Sequence, residues 1–93
     1  MTLYSRQRRD ANESEIVEAL RRAGVYVNIM PTGAGFDLLC AWAGMVKIVE
    51  VKVPGTNTLT DAERKLHDAL KFNDVRYHVV HSADEALDIF GML

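Results

Sequence analysis

Met45-Val46-Lys47-Ile48-Val49-Glu50-Val51-Lys52-Val53 sets a carboxylate and an amine two residues apart inside an apolar run. In a β-strand, residues i and i+2 share a face, so Glu50 and Lys52 project to the same side. Ile48 and Val49 precede them and Val51 and Val53 interleave with them, a pattern that predicts a well-buried central strand. A second apolar run, residues 36–42, carries Asp37 thirteen positions before Glu50. Ala43-Gly44 between the runs predicts a tight hairpin turn. That pairing brings Asp37 to the side that Glu50 and Lys52 share.

Outward from this hairpin, the chain alternates between helical and strand patterns. Residues 10–24 read as a helix, with Ile16, Val17, Leu20 and Ala23 at helical spacing and Gly24 as its stop. Residues 25–30 predict a strand, followed by the turn-forming Pro31-Thr32-Gly33-Ala34-Gly35. After the hairpin, residues 54–57 break the pattern. Thr60 opens a helix reaching about Asn73, with Ala62, Leu66, Ala69 and Leu70 on one side. Residues 75–80 predict a short strand and residues 82–90 a last helix, with Ser82 and Glu85 in capping-box positions. The order α-β-β-β-α-β-α contains no linker or repeat. It predicts one mixed α/β layered domain over residues 1–93.

A chain of 93 residues with 48% apolar content builds one small core and is not disordered. It holds no run long enough to span a bilayer, and its polar start is not a signal peptide, so no membrane association is expected. The lone Cys40 has no internal disulfide partner and fits a reducing compartment, the cytoplasm. A net charge of −2 and a pI near 5.8 count against a protein that simply coats nucleic acid. They leave room for a nuclease, whose metal-binding carboxylates are offset by bound cations. Arg6, Arg8 and Arg9 cluster at the start, which is also the composition of a solvated terminus. Arg21 and Arg22 close the first helix, where cations complement the macrodipole.

Glu13 shares the inward stripe of the first helix with Ile16 and Val17, and a buried carboxylate there needs a partner. Asp10-x-x-Glu13 also has the spacing of a capping box. Asp37 is unusual because aspartate is depleted in strands; a local turn hydrogen bond is its alternative explanation. Phosphodiester hydrolysis needs an activated water and relief of charge in the transition state. A hard cation such as Mg²⁺ supplies both while held by one or two carboxylates, water and phosphate oxygens. Asp37 and Glu50 are the candidate carboxylates and the Val51 carbonyl a neutral ligand, with Glu13 completing the shell directly or through water. Lys52 would orient the water or stabilise developing negative charge. Gly33 and Gly35 would let backbone approach a phosphodiester. His67, His78 and His81 lack zinc-site spacing, and His67 is expected on a helix surface. Trp42 points to core packing or an interface. No P-loop or dinucleotide-type glycine loop is present.

The ordered set Glu13, Asp37 and Glu50-Val51-Lys52 resembles the PD-(D/E)XK nuclease superfamily, whose core is αβββαβ. Thr58-Leu59-Thr60-Asp61-Ala62-Glu63, Leu66-His67-Asp68-Ala69-Leu70, the strand at Tyr77–Val80 and Ser82-Ala83-Asp84-Glu85-Ala86 look like its VRR-NUC branch. The resemblance spans about residues 12–90. It implies a restriction-endonuclease-like fold plus a C-terminal helix. It also implies Mg²⁺- or Mn²⁺-dependent endonuclease activity on branched or duplex DNA, Holliday junctions included. Small stand-alone members are homodimers, and a phage or bacterial source is in keeping with the size. Phe36 stands where many relatives carry proline, and Glu63 where the branch commonly carries glutamine. Glu63 also completes a Thr60-x-x-Glu63 capping box and is set aside as a site residue on that ground. The competing expectation is a catalytically silent nuclease fold serving as a nucleic-acid-binding or assembly module.

Overall fold

The computed structural model describes residues 11–93. Arg6, Arg8, Arg9 and Asp10, and with them the basic cluster and the proposed cap, lie outside the described residues. Helix α1 (Glu13–Arg22) buries Ile16, Val17 and Leu20. Its N-cap is Asn12, so Glu13 is the first helical residue and not the third-position partner of a capping box. Arg21 sits in the last turn, and its guanidinium also donates to the Val27 carbonyl at 2.9 Å, tying the helix to the next strand.

Four strands follow in one sheet: β1 (Tyr26–Ile29), β2 (Leu38–Trp42), β3 (Met45–Val51) and, after helix α2 (Asp61–Phe72), β4 (Tyr77–Val80). Helix α3 (Ala83–Asp88) closes the described chain. The sheet order is β1-β2-β3-β4, with the first two pairings antiparallel and β3–β4 parallel. A parallel pair needs a crossover, and α2 provides it. The hairpin forms as expected: Trp42 pairs with Met45, and Ala43 (φ 50°) and Gly44 (φ 82°) make the two-residue turn with both residues left-handed.

Both hairpin strands are shorter than the apolar runs. Asp37 falls just before β2 and Lys52 just after β3. Their backbones still extend the ladder: Asp37 N–H donates to the Val49 carbonyl (3.1 Å) and Lys52 N–H to the Val80 carbonyl (3.0 Å). Regular pairing ends there because the Asp37 side chain takes the Val51 N–H, as described below.

One face of the sheet, formed by Val27, Leu38, Cys40, Val49, Val51 and Val80, packs against Ile16, Val17 and Leu20 of α1 and Ala86 and Phe90 at the C-terminal helix. Trp42 packs edge-on to Phe90, with ring centroids 6.3 Å apart, which gives it a core role. Burial pushes the Cys40 thiol up to about 11, so it stays a protonated core side chain. Helix α2 covers part of the opposite face and has no buried residue of its own. Its inward positions are Glu63, Leu66, His67 and Leu70, while the expected Ala62 and Ala69 are exposed. His67 is half-buried, its ring edge-on to Tyr77 at 5.3 Å, not on an open helix surface. Among the described residues, no helix is long and apolar enough to cross a membrane.

Candidate active site

Three carboxylates and one ammonium meet where β3 ends. Asp37 is held by backbone on both sides, its N–H on Val49 and its carbonyl accepting the Met30 N–H at 2.8 Å. Its Oδ2 then accepts the Val51 N–H at 2.8 Å, across the sheet and fourteen positions along the chain. The carboxylate thus stands in for a backbone acceptor at the end of the β2–β3 ladder, which orients it toward β3. Val51 is almost fully buried between the two charged residues of the strand end.

Glu50 is 2% exposed. Its Oε2 lies 3.3 Å from Lys52 Nζ, as the shared-face argument requires. Its Oε1 lies 3.5 Å from the Tyr77 hydroxyl, at the outer limit of a hydrogen bond. Lys52 Nζ also contacts Glu63 Oε1 at 3.0 Å. The cap and the site are therefore not alternatives for Glu63. Its Oε1 accepts the Thr60 N–H at 2.9 Å while the Thr60 hydroxyl accepts the Glu63 N–H at 3.2 Å, and the same carboxylate oxygen grips Lys52.

Burial is the largest cause that pushes the Glu50 carboxyl up to about 9, followed by its hydrogen bond with Glu63 and the charges of Asp37 and Glu63; Lys52 pulls the other way. For Lys52, burial works against the ammonium, but the bond to Glu63 and the charges of Glu50 and Glu63 outweigh it and raise its pKa. For Glu63, burial likewise opposes ionisation. Bonds from Glu50, the Thr60 N–H and Lys52 prevail and hold it below the usual carboxylate range. The cluster therefore favours an ionised Glu63 paired with a charged Lys52, while burial and its acidic neighbours push Glu50 toward its protonated form. Burial, then the charges of Glu50, Glu63 and Asp37, raise Tyr77 well above an ordinary phenol. It remains a hydrogen-bond donor.

Glu13 stands at the start of α1, whose N-cap Asn12 docks on the same end of the sheet. It is 6% exposed and opens α1 directly after Asn12. The Asn12 side-chain amide donates to the carbonyls of Lys52 (3.2 Å) and His81 (2.8 Å), docking the helix start on the ends of β3 and β4. Among the described residues, the charges that shift Glu50 include those of Asp37, Glu63 and Lys52.

The two loop glycines divide. Gly33 (φ +93°) has open space around it. Gly35 is packed beneath α2, and a Cβ there would lie 3.2 Å from the Ala62 carbonyl and 3.3 Å from Leu66. Its lack of a side chain serves the close approach of α2. The Tyr77 hydroxyl donates to the Gly35 carbonyl at 2.8 Å and pins that loop beside Glu50. Tyr77 had no signal in the sequence beyond its place in an alternating strand, because its neighbours come from β3 pairing and the 31–37 loop.

Among the described residues, no three His, Cys, Asp or Glu side chains form a metal-holding group on their own. The donors available at the strand end, Asp37, Glu50 and the Val51 carbonyl, are all hard oxygens. They suit Mg²⁺ or Mn²⁺, which take one or two carboxylates and keep water for the rest. Burial and the charges of Asp37 and Glu63 disfavour an ionised Glu50, a crowding of negative charge that a divalent cation would relieve. The chemistry of these oxygens, and not a formed metal-holding group, is what suits such an ion. No family model, curated protein or solved structure matches the chain.

Proposed function

We propose that this chain is a divalent-metal-dependent DNA endonuclease of the PD-(D/E)XK type, VRR-NUC branch, acting on branched or duplex DNA as a homodimer. The observation that carries this reading is the buried Glu50–Lys52–Glu63 network with Asp37 turned onto the same strand end. A fold gains little from burying such a cluster, because desolvation offsets most of the ion-pair energy. Phosphodiester hydrolysis uses all of its parts.

Asp37 and Glu50 would hold the ion, with the Val51 carbonyl beside them and Glu13 as an auxiliary oxygen. Bound Mg²⁺ or Mn²⁺ would supply a more acidic water and a positive charge at the scissile phosphate. Lys52 orients the attacking water through an N–H donor and stabilises charge that grows on the phosphate oxygens. Glu63 holds the Lys52 ammonium in place while staying fixed itself by the Thr60 cap. Tyr77 keeps the 31–37 loop, and with it Asp37, against β3.

The test uses purified protein, a four-way junction and a linear duplex, each with Mg²⁺ or Mn²⁺. Cleavage is expected with either ion. Lys52→Ala should reduce it to background while circular dichroism and the melting curve still report a folded chain. Cutting by that variant at the wild-type rate would sink the assigned mechanism. Phe36 in place of the relatives' proline and Glu63 in place of their glutamine, together with the acidic balance, support the second reading, a silent nuclease-fold binding or assembly module. It predicts no heat on calorimetric titration with Mn²⁺.

A further inference from the structure

Away from the acidic cluster, one side chain ties three segments together. His81 follows β4, and its Nδ1 lies 2.9 Å from Glu85 Oε1 in the first turn of α3. Its Nε2 lies 3.0 Å from the Thr56 carbonyl and 2.9 Å from Asn57 Oδ1, both in the loop that joins Lys52 to α2. The same Glu85 oxygen accepts the His81 backbone N–H at 2.9 Å. Glu85 is therefore committed to His81 and not to the Ser82 N–H of a full capping box; Ser82 Oγ supplies the other half, accepting the Glu85 N–H at 3.1 Å.

A carboxylate and a peptide carbonyl can only accept. A neutral imidazole has a single N–H and satisfies one side of this arrangement. The doubly protonated ring satisfies both. Among the described residues, the charged group that faces the ring is Glu85, from α3. The loop contributes the neutral Thr56 carbonyl and Asn57 amide, and Asn12 beside α1 holds the His81 carbonyl. The bond to Glu85 raises the His81 pKa above the ordinary histidine value, partly opposed by burial, and lowers that of Glu85 in turn.

The loop it grips matters because of where it leads. Lys52 lies at its start, and Thr60 at its end caps α2, whose Glu63 holds Lys52. We propose that protonated His81 is a positioning residue that latches this loop to α3 and keeps Glu63 against Lys52, and that loss of the proton releases the loop. The latch rests on the nuclease reading only for its effect on cleavage. It is fully formed below the ordinary histidine range and is lost as pH rises through the raised value.

The experiment follows the full chain by NMR from pH 5.5 to 9, reading the His81 ring resonances and ¹⁵N relaxation of residues 54–60. The loop should become mobile with the same midpoint as the ring. In Glu85→Gln, which keeps an acceptor but removes the charge, both midpoints should move down together by about one pH unit. In His81→Gln the loop should be mobile at every pH. A purely structural histidine would leave loop motion independent of pH, and that result, or a loop midpoint unmoved in Glu85→Gln, overturns the latch. The alkaline limb of any DNA cleavage profile should shift with the same variant. Failure to cleave DNA at all counts against the nuclease reading alone, since the loop measurement needs no activity.

Discussion

Glu63 serves two partners with one oxygen, and the two roles can be separated by substitution. Glu63→Gln keeps an acceptor for the Thr60 N–H but removes the charge beside Lys52. Glu63→Ala removes both. Urea melts should show Glu63→Ala less stable by about 1 kcal/mol, the net worth of one capping bond, with Glu63→Gln closer to wild type. If Glu63 positions the lysine, cleavage should fall in both variants. Wild-type rates in Glu63→Gln would leave Glu63 a cap alone. The sequence displays the cap because its spacing is local, and the ion pair escapes it because Lys52 arrives through the sheet. Glu50 and Lys52 were legible for the opposite reason: two residues apart in a strand, their shared side follows from backbone geometry.

The β2–β3 hairpin, the heart of the site, also rests on local signals, a two-residue turn between apolar runs. Its limits did not. Asp37 ends the ladder with its own carboxylate, a substitution that apolar patterning cannot foresee. Helix α2 was legible in extent, from the Thr60 cap to Asn73, but not in the face it turns inward. It packs over a polar corner, so Glu63 and His67 face the sheet where a purely apolar stripe predicted Ala62 and Ala69. Gly35 lets that helix approach. With φ +93° and backbone oxygen 3.2 Å from the place of a Cβ, Gly35→Ala should push α2 outward. The expected loss is about 1–3 kcal/mol in a denaturant melt, together with weakened Lys52–Glu63 contact. A melt identical to wild type would show that the loop adjusts freely.

Across the whole molecule, stability and the proposed activity oppose each other at Glu50. Burial and the neighbouring carboxylates disfavour the ionised form of Glu50, a cost that a neutral amide of the same shape does not carry. Glu50→Gln should therefore melt higher than wild type in chelator. Mn²⁺ should raise the wild-type melting temperature, by an equivalent of about 2.7 kcal/mol at a hundred times its dissociation constant. It should leave Glu50→Gln nearly unmoved. Scanning calorimetry checks both, and a wild-type melt indifferent to Mn²⁺ would favour the silent binding module. Order of elements, the hairpin and the Glu50–Lys52 face were determined by the sequence alone, since each depends on neighbours within a turn or two. The places of Glu63, Tyr77, Asn12 and His81 were decided only by tertiary structure. Each depends on β4 returning parallel to β3 through α2, a long-range choice whose energy is spread over the core and written in no single stretch of chain.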